Sequence, residues 1–196
     1  MTKPAAWTVL TFAAIGIAGY AVSVTIAPAV RSPIVDSMIL ATPDSAILHF
    51  LVGAVVIVIG ALQFNVNIRF QRPHIHRWLG RIYLGGVLLG GSAGLYLSFY
   101  SFGGVVSHFG FGMLAVLWLA TTFIAFTHIR AGRVKPHREW MVRSYALCLA
   151  AFTLRIYLPL FFLTGIPFAD FYPAVAWLCW VPNLLIAEWI IIPRLK

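Results

Sequence analysis

The sequence predicts an all-α integral membrane bundle of six transmembrane helices. Three observations carry that reading. Of the 196 residues, 61% are hydrophobic and only 10% are charged, against about 25% charged in soluble domains. The mean hydropathy is +0.92. The apolar residues also fall into six runs, each close to the roughly 20 residues that a helix needs to cross a hydrocarbon core.

The first run, about residues 7–27, follows Met1-Thr2-Lys3-Pro4. Small residues at Ala27-Pro28-Ala29 imitate a leader-cleavage site, but the run reads as a retained helix. Pro28, Pro33 and Pro43 punctuate the first connection, and Asp44 or Ser45 can cap the second run, about 46–66. The third run, about 78–100, carries Gly86, Gly90 and Gly94 at four-residue spacing, a ladder that lets a neighbouring helix approach. Gly103-Gly104 makes a tight turn into the fourth run, about 106–126. The fifth, about 141–163, contains Arg155, and Gly165-Ile166-Pro167 leads to the sixth, about 172–192. Within that last run Pro182-Asn183 predicts a kink, and Glu188 lies near its end. The chain, 1–196, is one transmembrane domain with no room for a separate soluble one.

Basic residues set the orientation. Six crossings put both termini on one side. That side holds Lys3, Arg69, Arg72, Arg77, Arg81, Arg130, Arg133, Lys135, Arg138, Arg143, Arg194 and Lys196, which is 12 of the 14 Lys and Arg. The other side has Arg31 with Asp36, Asp44 and Asp170. Basic short loops stay cytoplasmic. The sequence therefore predicts a multi-pass membrane protein with both termini cytoplasmic. The net charge of +9 belongs to this pattern and not to nucleic-acid binding, because no basic domain or recognition motif accompanies it. Cys148 and Cys179 lie inside apolar runs, form no C-x-x-C pair and read as small core residues.

Two phrases repeat. His49-Phe50-Leu51-Val52-Gly53 opens the second run and His108-Phe109-Gly110-Phe111-Gly112 the fourth. The third is introduced by His76-Arg77-Trp78 and the fifth by His137-Arg138-Glu139-Trp140. This predicts a four-helix core built from two repeated hairpins. His49 and His108 then lie near one face of the membrane, and His76 and His137 near the other. Gly53, Gly80 and Gly112 follow three of these histidines at i+4, on the same helix face, leaving room for something flat. Two imidazoles on facing helices can ligate a haem iron from both sides. His49, His76, His108 and His137 are therefore candidate axial ligands to haem b. Arg77, Arg81, Arg138 and Arg143 are placed to meet propionates or anionic headgroups. Arg155 is a candidate contact to a propionate or a quinone oxygen, or snorkels toward Asp44 or Asp170. His74, His76, His128 and His137 offer a rival cluster for a transition metal, without the carboxylates or thiolates that would sharpen it. No H-E-x-x-H, P-loop or G-x-S-x-G is present, so hydrolase and NTPase readings have no support.

Gln63, HRWLGRIY from His76, HREWMVRSYAL from His137 and AWLCWVPNLLIAEW near the end resemble a family of bacterial membrane proteins catalogued as domain of unknown function 2306. The resemblance spans about His49 to Trp189 and implies a polytopic inner-membrane protein, with no activity attached. His49, His76 and His137 match the family pattern, whereas His108 sits where members need not have histidine. A weaker, architectural resemblance is to the ascorbate-reducible di-haem b-type cytochromes, which also place four histidines on the central four of six helices. It would pair His49 with His108 and His76 with His137, but fold analogy alone does not establish function.

The leading expectation is a membrane b-type haem protein moving electrons across or into the bilayer, with a quinone as exchange partner. Two alternatives stand beside it: a non-catalytic membrane subunit or lipid-binding protein with partner membrane subunits, and a histidine-based metal or small-molecule transporter. The orientation has a direct test. Reporter fusions after His74 and Lys135 should read cytoplasmic and one at Gly103 periplasmic; periplasmic signals from either basic loop would invert the topology.

Overall fold

The computed structural model describes residues 4–195, and the chain is helical throughout with no strand among them. The main helices are α1 (Pro4–Ile26), α2 (Pro33–Ala41), α3 (Pro43–Gln63), α4 (Val66–Gln71) and α5 (Pro73–Ser98). They are followed by α6 (Gly104–Arg130), α7 (Val134–Cys148), α8 (Ala150–Phe162), α9 (Phe168–Leu178) and α10 (Val181–Ile186). A π-helical turn, Ala187–Ile191, and a 3-10 turn, Ile192–Leu195, complete the chain.

Five segments are long and apolar enough to cross a membrane: Ala5–Ile26, Pro43–Gln63, Gly104–Arg130, Val134–Phe162 and Phe168–Leu195. The expected third crossing, α5, is 26 residues long but falls outside these five. Its first turns carry His74, His76, Arg77 and Arg81, and six glycines dilute the rest. Length therefore suffices there and hydropathy does not.

Local chemistry explains the boundaries. Proline at the first helical position starts α2, α3 and α5, since its missing N–H costs nothing there. Thr42 is the N-cap residue of α3, although its side chain makes no capping bond, so the helix begins ahead of the Asp44 or Ser45 start expected from sequence. The proline-punctuated first connection is itself partly helical, as α2. Asn65 starts α4 by accepting from the Asn67 and Ile68 amides at 2.9 and 3.1 Å. Gly103 and Gly104 both hold positive φ, 91° and 67°, which admits the abrupt reversal between α5 and α6. The sixth run breaks at Cys179–Trp180, with Pro182 just inside α10. There the Asn183 side-chain amide donates to the freed Cys179 carbonyl at 3.1 Å and to Thr153 Oγ1 at 2.8 Å, with Ala146 O sharing a hydrogen at 3.3 Å.

Cross-helix bonds fix which ends meet. Trp7 Nε1 donates to Ala61 O, joining the start of α1 to the end of α3. Gln63 Nε2 donates to His76 O, and the Arg143 guanidinium grips Glu188 through two bonds of 2.5 and 2.9 Å. These contacts gather at one end of the bundle, the basic end. His49 meets Gly90, His108 meets Ser98, and Trp177 Nε1 donates to Val106 O at the other, the far end. Lys3 and Lys196, counted with the basic side, lie outside the described residues.

The core is a ring of α3, α5, α6 and α7, flanked by α1 on α3 and α9 on α6. A buried hydroxyl chain crosses it. Thr122 Oγ1 donates to Trp118 O at 2.7 Å, so its only proton is used. Ser144 must then donate to Thr122 (2.6 Å), and Tyr83 to Ser144 (2.9 Å). Tyr145 Oη donates to Ile57 O at 2.9 Å, tying α7 to α3. Gly60 makes this possible, since its Cα faces the rings of Tyr145 and Tyr83. The glycine ladder of α5 meets α3 as well: Gly86 faces Val56, and Gly90 faces Val52 and the Gly53 backbone.

Gly60→Ala places a methyl inside the Tyr145 ring position, so we expect a loss of about 1–3 kcal/mol from overpacking. Gly85→Ala, with nothing within 4 Å of the added carbon, should not destabilise. Thermal unfolding in detergent reads both, and equal melting of the two variants would contradict the packing.

Candidate functional site

Above the hydroxyl chain, toward the far end, the ring encloses a cavity of about 460 Å³. That lies within the range of roughly 300–1,000 Å³ typical of small-molecule pockets. Its walls come from α1, α2, α3, α5, α6, α7, α8 and α9 and are mostly apolar, with Trp118, Leu147 and Cys148 toward its floor and Met38 of α2 near its mouth. Two side chains stand out in it, His49 and Arg155.

His49 lies six residues into α3, hence about 9 Å below the helix start, and its ring packs into the notch left by Gly94. Its Nδ1 is 2.8 Å from Gly90 O. A carbonyl only accepts, so Nδ1 carries the proton and the neutral ring presents a lone pair at Nε2. Gly53, one turn on, also borders the cavity, and nothing lies within 4 Å of a carbon added to it. The room that the i+4 glycine implied is present here.

Arg155 lies seven residues before the end of α8, so about 10 Å below it. Its guanidinium sits 4.4 Å from the Tyr20 ring centroid, and Nη1 donates to Ala151 O at 2.6 Å. Nε is buried with no partner. The expected reach toward Asp44 or Asp170 is not made, and Glu188 is held by Arg143 instead. Arg155 faces the same cavity as His49 and is within electrostatic reach of it.

His108 takes a different role. Its Nδ1 binds Ser98 O at 2.6 Å, beside Ser101 Oγ at 3.3 Å. The carbonyls that hold His49 and His108 are eight residues apart on α5, about 12 Å along its axis. Ser98 and Ser101 line the cavity while His108 stands behind them. Gly112, its i+4 glycine, faces Ser98, whose Oγ would lie 3.3 Å from a carbon added there. The two far-end histidines are thus not brought to a common slot.

At the basic end His76 and His137 are within electrostatic reach of each other, and His128 of His137. His137 Nδ1 is held by Ala125 O at 2.8 Å. His76 Nδ1, His128 Nδ1 and Gln63 Oε1 are buried without partners. A carbon added to Gly80 would lie 3.1 Å from the Gln63 amide nitrogen, so the space beside it is filled by protein. In the α4 connection, burial first and then the neighbouring Arg138 charge pull the Arg69 guanidinium below its usual range. His74 is exposed and accepts from Trp78 Nε1 at 3.1 Å. Among the described residues no group of three or more His, Cys, Asp or Glu is placed to hold a metal ion. The rival cluster of His74, His76, His128 and His137 is therefore not assembled.

The arginines divide. Arg77 and Arg81 are exposed, with Arg81 over the Trp78 ring at 4.9 Å. Arg138 is half-buried. Arg143 is spent on Glu188 and stacks over Trp140 at 4.4 Å. Arg31, the lone base of the far side, takes the Val24 and Thr25 carbonyls at the end of α1 and pairs with Asp36. Gln63, Tyr20 and the carbonyl anchors of the histidines were not read as site residues from sequence. Only the Gln63 that opens the family phrase gave any signal.

Gly94→Ala sets a methyl 3.0 Å from the His49 ring atoms Nδ1 and Cε1 and should displace the imidazole from Gly90 O. Nitrogen-15 NMR of the histidines should then show His49 losing its fixed Nδ1-protonated tautomer; an unchanged spectrum would reject the notch.

A family model described as a predicted membrane protein, DUF2306, matches residues 46–191. No curated protein and no solved structure matches the chain.

Proposed function

The chain belongs to the DUF2306 family of predicted membrane proteins, and on that premise we propose that it is a multi-pass b-type haem protein moving electrons across or into the bilayer. In this reading α5 is a sixth crossing, its polar start at the headgroups and its glycines packed on α3. The core is two repeated hairpins, α3 with α5 and α6 with α7. The membrane is a bacterial inner membrane with the basic end cytoplasmic.

One observation carries the reading. Three of the four candidate histidines present Nδ1 to a backbone carbonyl: His49 to Gly90, His108 to Ser98 and His137 to Ala125. This fixes the ring and leaves the Nε2 lone pair outward, which is how ligating imidazoles are oriented by their surroundings.

The residues fit unevenly. At the far end His49 is the ligand, with Gly53 leaving open space beside it and Arg155 as a cation in the same cavity. His108 stays a bond to the Ser98 carbonyl in this reading, in keeping with its place behind the cavity wall. At the basic end His76 and His137 are the ligands, drawn from α5 and α7, while Arg77, Arg81 and Arg138 face headgroups or propionates. When bound, haem supplies a one-electron couple whose potential follows ligand identity and burial. The chain's part is to orient the imidazoles and exclude water through its apolar walls. A quinone is the exchange partner that a bilayer offers.

Protein purified after expression with ample haem should show a Soret band. His76→Ala and His137→Ala should remove or shift the same signal, His49→Ala a different one, and His74→Ala none. A colourless wild type, or full haem with unchanged spectra in both the His76 and His137 variants, would overturn the assignment.

A further inference from the structure

We infer that the far-end cavity binds an apolar molecule through a carboxylate, with Arg155 as the anchor. The inference needs the cavity and not the haem: if haem occupies it, the carboxylate is a propionate, and otherwise it is the head of a free long-chain acid.

The first support is an unpaired charge. An ionised group in a water-poor, apolar setting is costly unless it is paired. Arginine keeps its proton in proteins, so neutralisation is no escape. A long side chain within about 10 Å of the helix ends usually extends to the polar surface. Arg155 does not. It lies along the Tyr20 ring and spends Nη1 on a carbonyl of its own helix. Neither Asp44 nor Asp170 forms an ion pair with it; among the described residues the salt bridges are Arg31–Asp36 and Arg143–Glu188. Its Nε, meanwhile, is a buried donor without an acceptor. Planar, bidentate acceptance by a carboxylate is the interaction a guanidinium fits best.

The second support is the level at which polar groups meet. Tyr20 lies six residues before the end of α1, about 9 Å down, matching the depths of Arg155 and His49. The His49 imidazole and the Arg155 guanidinium, with the Tyr20 ring beneath it, therefore share one layer in walls that are mostly apolar. His49 adds a neutral acceptor at Nε2, which repels no anion and can take a hydrogen bond from a protonated acid. The remaining lining, including Ile17, Ala54, Phe111 and Leu154, suits a hydrocarbon or a flat ring.

The third support is the roof. Met38 and Ile34 of α2 line the mouth, and α2 is itself held by the Arg31–Asp36 pair and by Ile39 packed on Ala46 and Leu97. An amphiphile thus has a mostly apolar cavity, open at its mouth, with the Arg155 cation in its wall.

The test uses the purified full chain in detergent, with the fluorescent polyene fatty acid cis-parinaric acid and its methyl ester as probes. The acid should bind at least about tenfold more tightly than the ester, the scale of one charge-assisted hydrogen bond. Arg155→Gln should erase that preference. Gly53→Leu, which grows a side chain into the open cavity, should weaken both probes. If Arg155→Gln fails to fold, the acid-to-ester ratio on the wild type and the Gly53 variant still decide. Equal affinity for acid and ester overturns the inference. Unchanged acid binding in a folded Arg155→Gln protein also overturns it. Displacement of the acid by haem, but not by haem dimethyl ester, identifies a propionate as the native carboxylate. Acid binding that haem does not displace supports the inference with a free acid as occupant and removes haem from this cavity. Haem bound at His49 with equal acid and ester affinity leaves the haem reading standing and sinks this one.

Discussion

The hydrogen-bonded chain Tyr83–Ser144–Thr122–Trp118 O is the constraint on which the rest of the bundle depends. Helices in lipid gain little from hydrophobic contact with one another, because the tails are as apolar as the side chains. What distinguishes one helix arrangement from another is packing and the satisfaction of polar groups. Here three hydroxyls from α5, α7 and α6 are fully buried, and each has its proton assigned by the one before it. Tyr145 extends the lock to α3 through Ile57 O. Rotating any one helix would orphan a hydroxyl in a medium with nothing to replace it.

This lock also partitions the interior. Gly60 lets two tyrosine rings in, so protein fills the space below the lock closely. Toward the far end Gly53 and its surroundings have no equivalent filler, and the cavity opens there. The same residue type thus gives opposite results in α3. A glycine facing aromatic rings makes a tight junction, and a glycine one turn from an imidazole makes a void.

Charges sort by whether the fold uses them. Arg31 completes the end of α1 and pairs with Asp36, and Arg143 pairs with Glu188 where the last helix loosens into a π-turn. Arg155 has no such use. It lines the cavity beside His49, stacks on Tyr20 and donates to the Ala151 carbonyl of its own helix.

The sequence by itself determined the helical class, five segments long and apolar enough to cross a membrane, the fourth of them beginning at Val134 and not near residue 141, and the concentration of bases at one end, because hydropathy and charge are summed along the chain. It also placed the kink before Asn183 and the close approach along Gly86 and Gly90. It also read a third crossing at about 78–100, and α5 is long enough for one but falls short of the hydropathy of the other five, because arginine, histidine and glycine dilute it. It named His49, His76, His108 and His137 together as candidate ligands, and only the family resemblance set His108 apart. Only the tertiary structure placed His49 at a cavity and turned His108 to Ser98, because carbonyl anchors on a neighbouring helix are invisible to spacing along one helix. The partners of Arg143 and Arg155 were decided the same way. Which carboxylate an arginine reaches depends on helix rotation and depth, and those are fixed by the buried hydroxyls that cross between helices far apart in the chain.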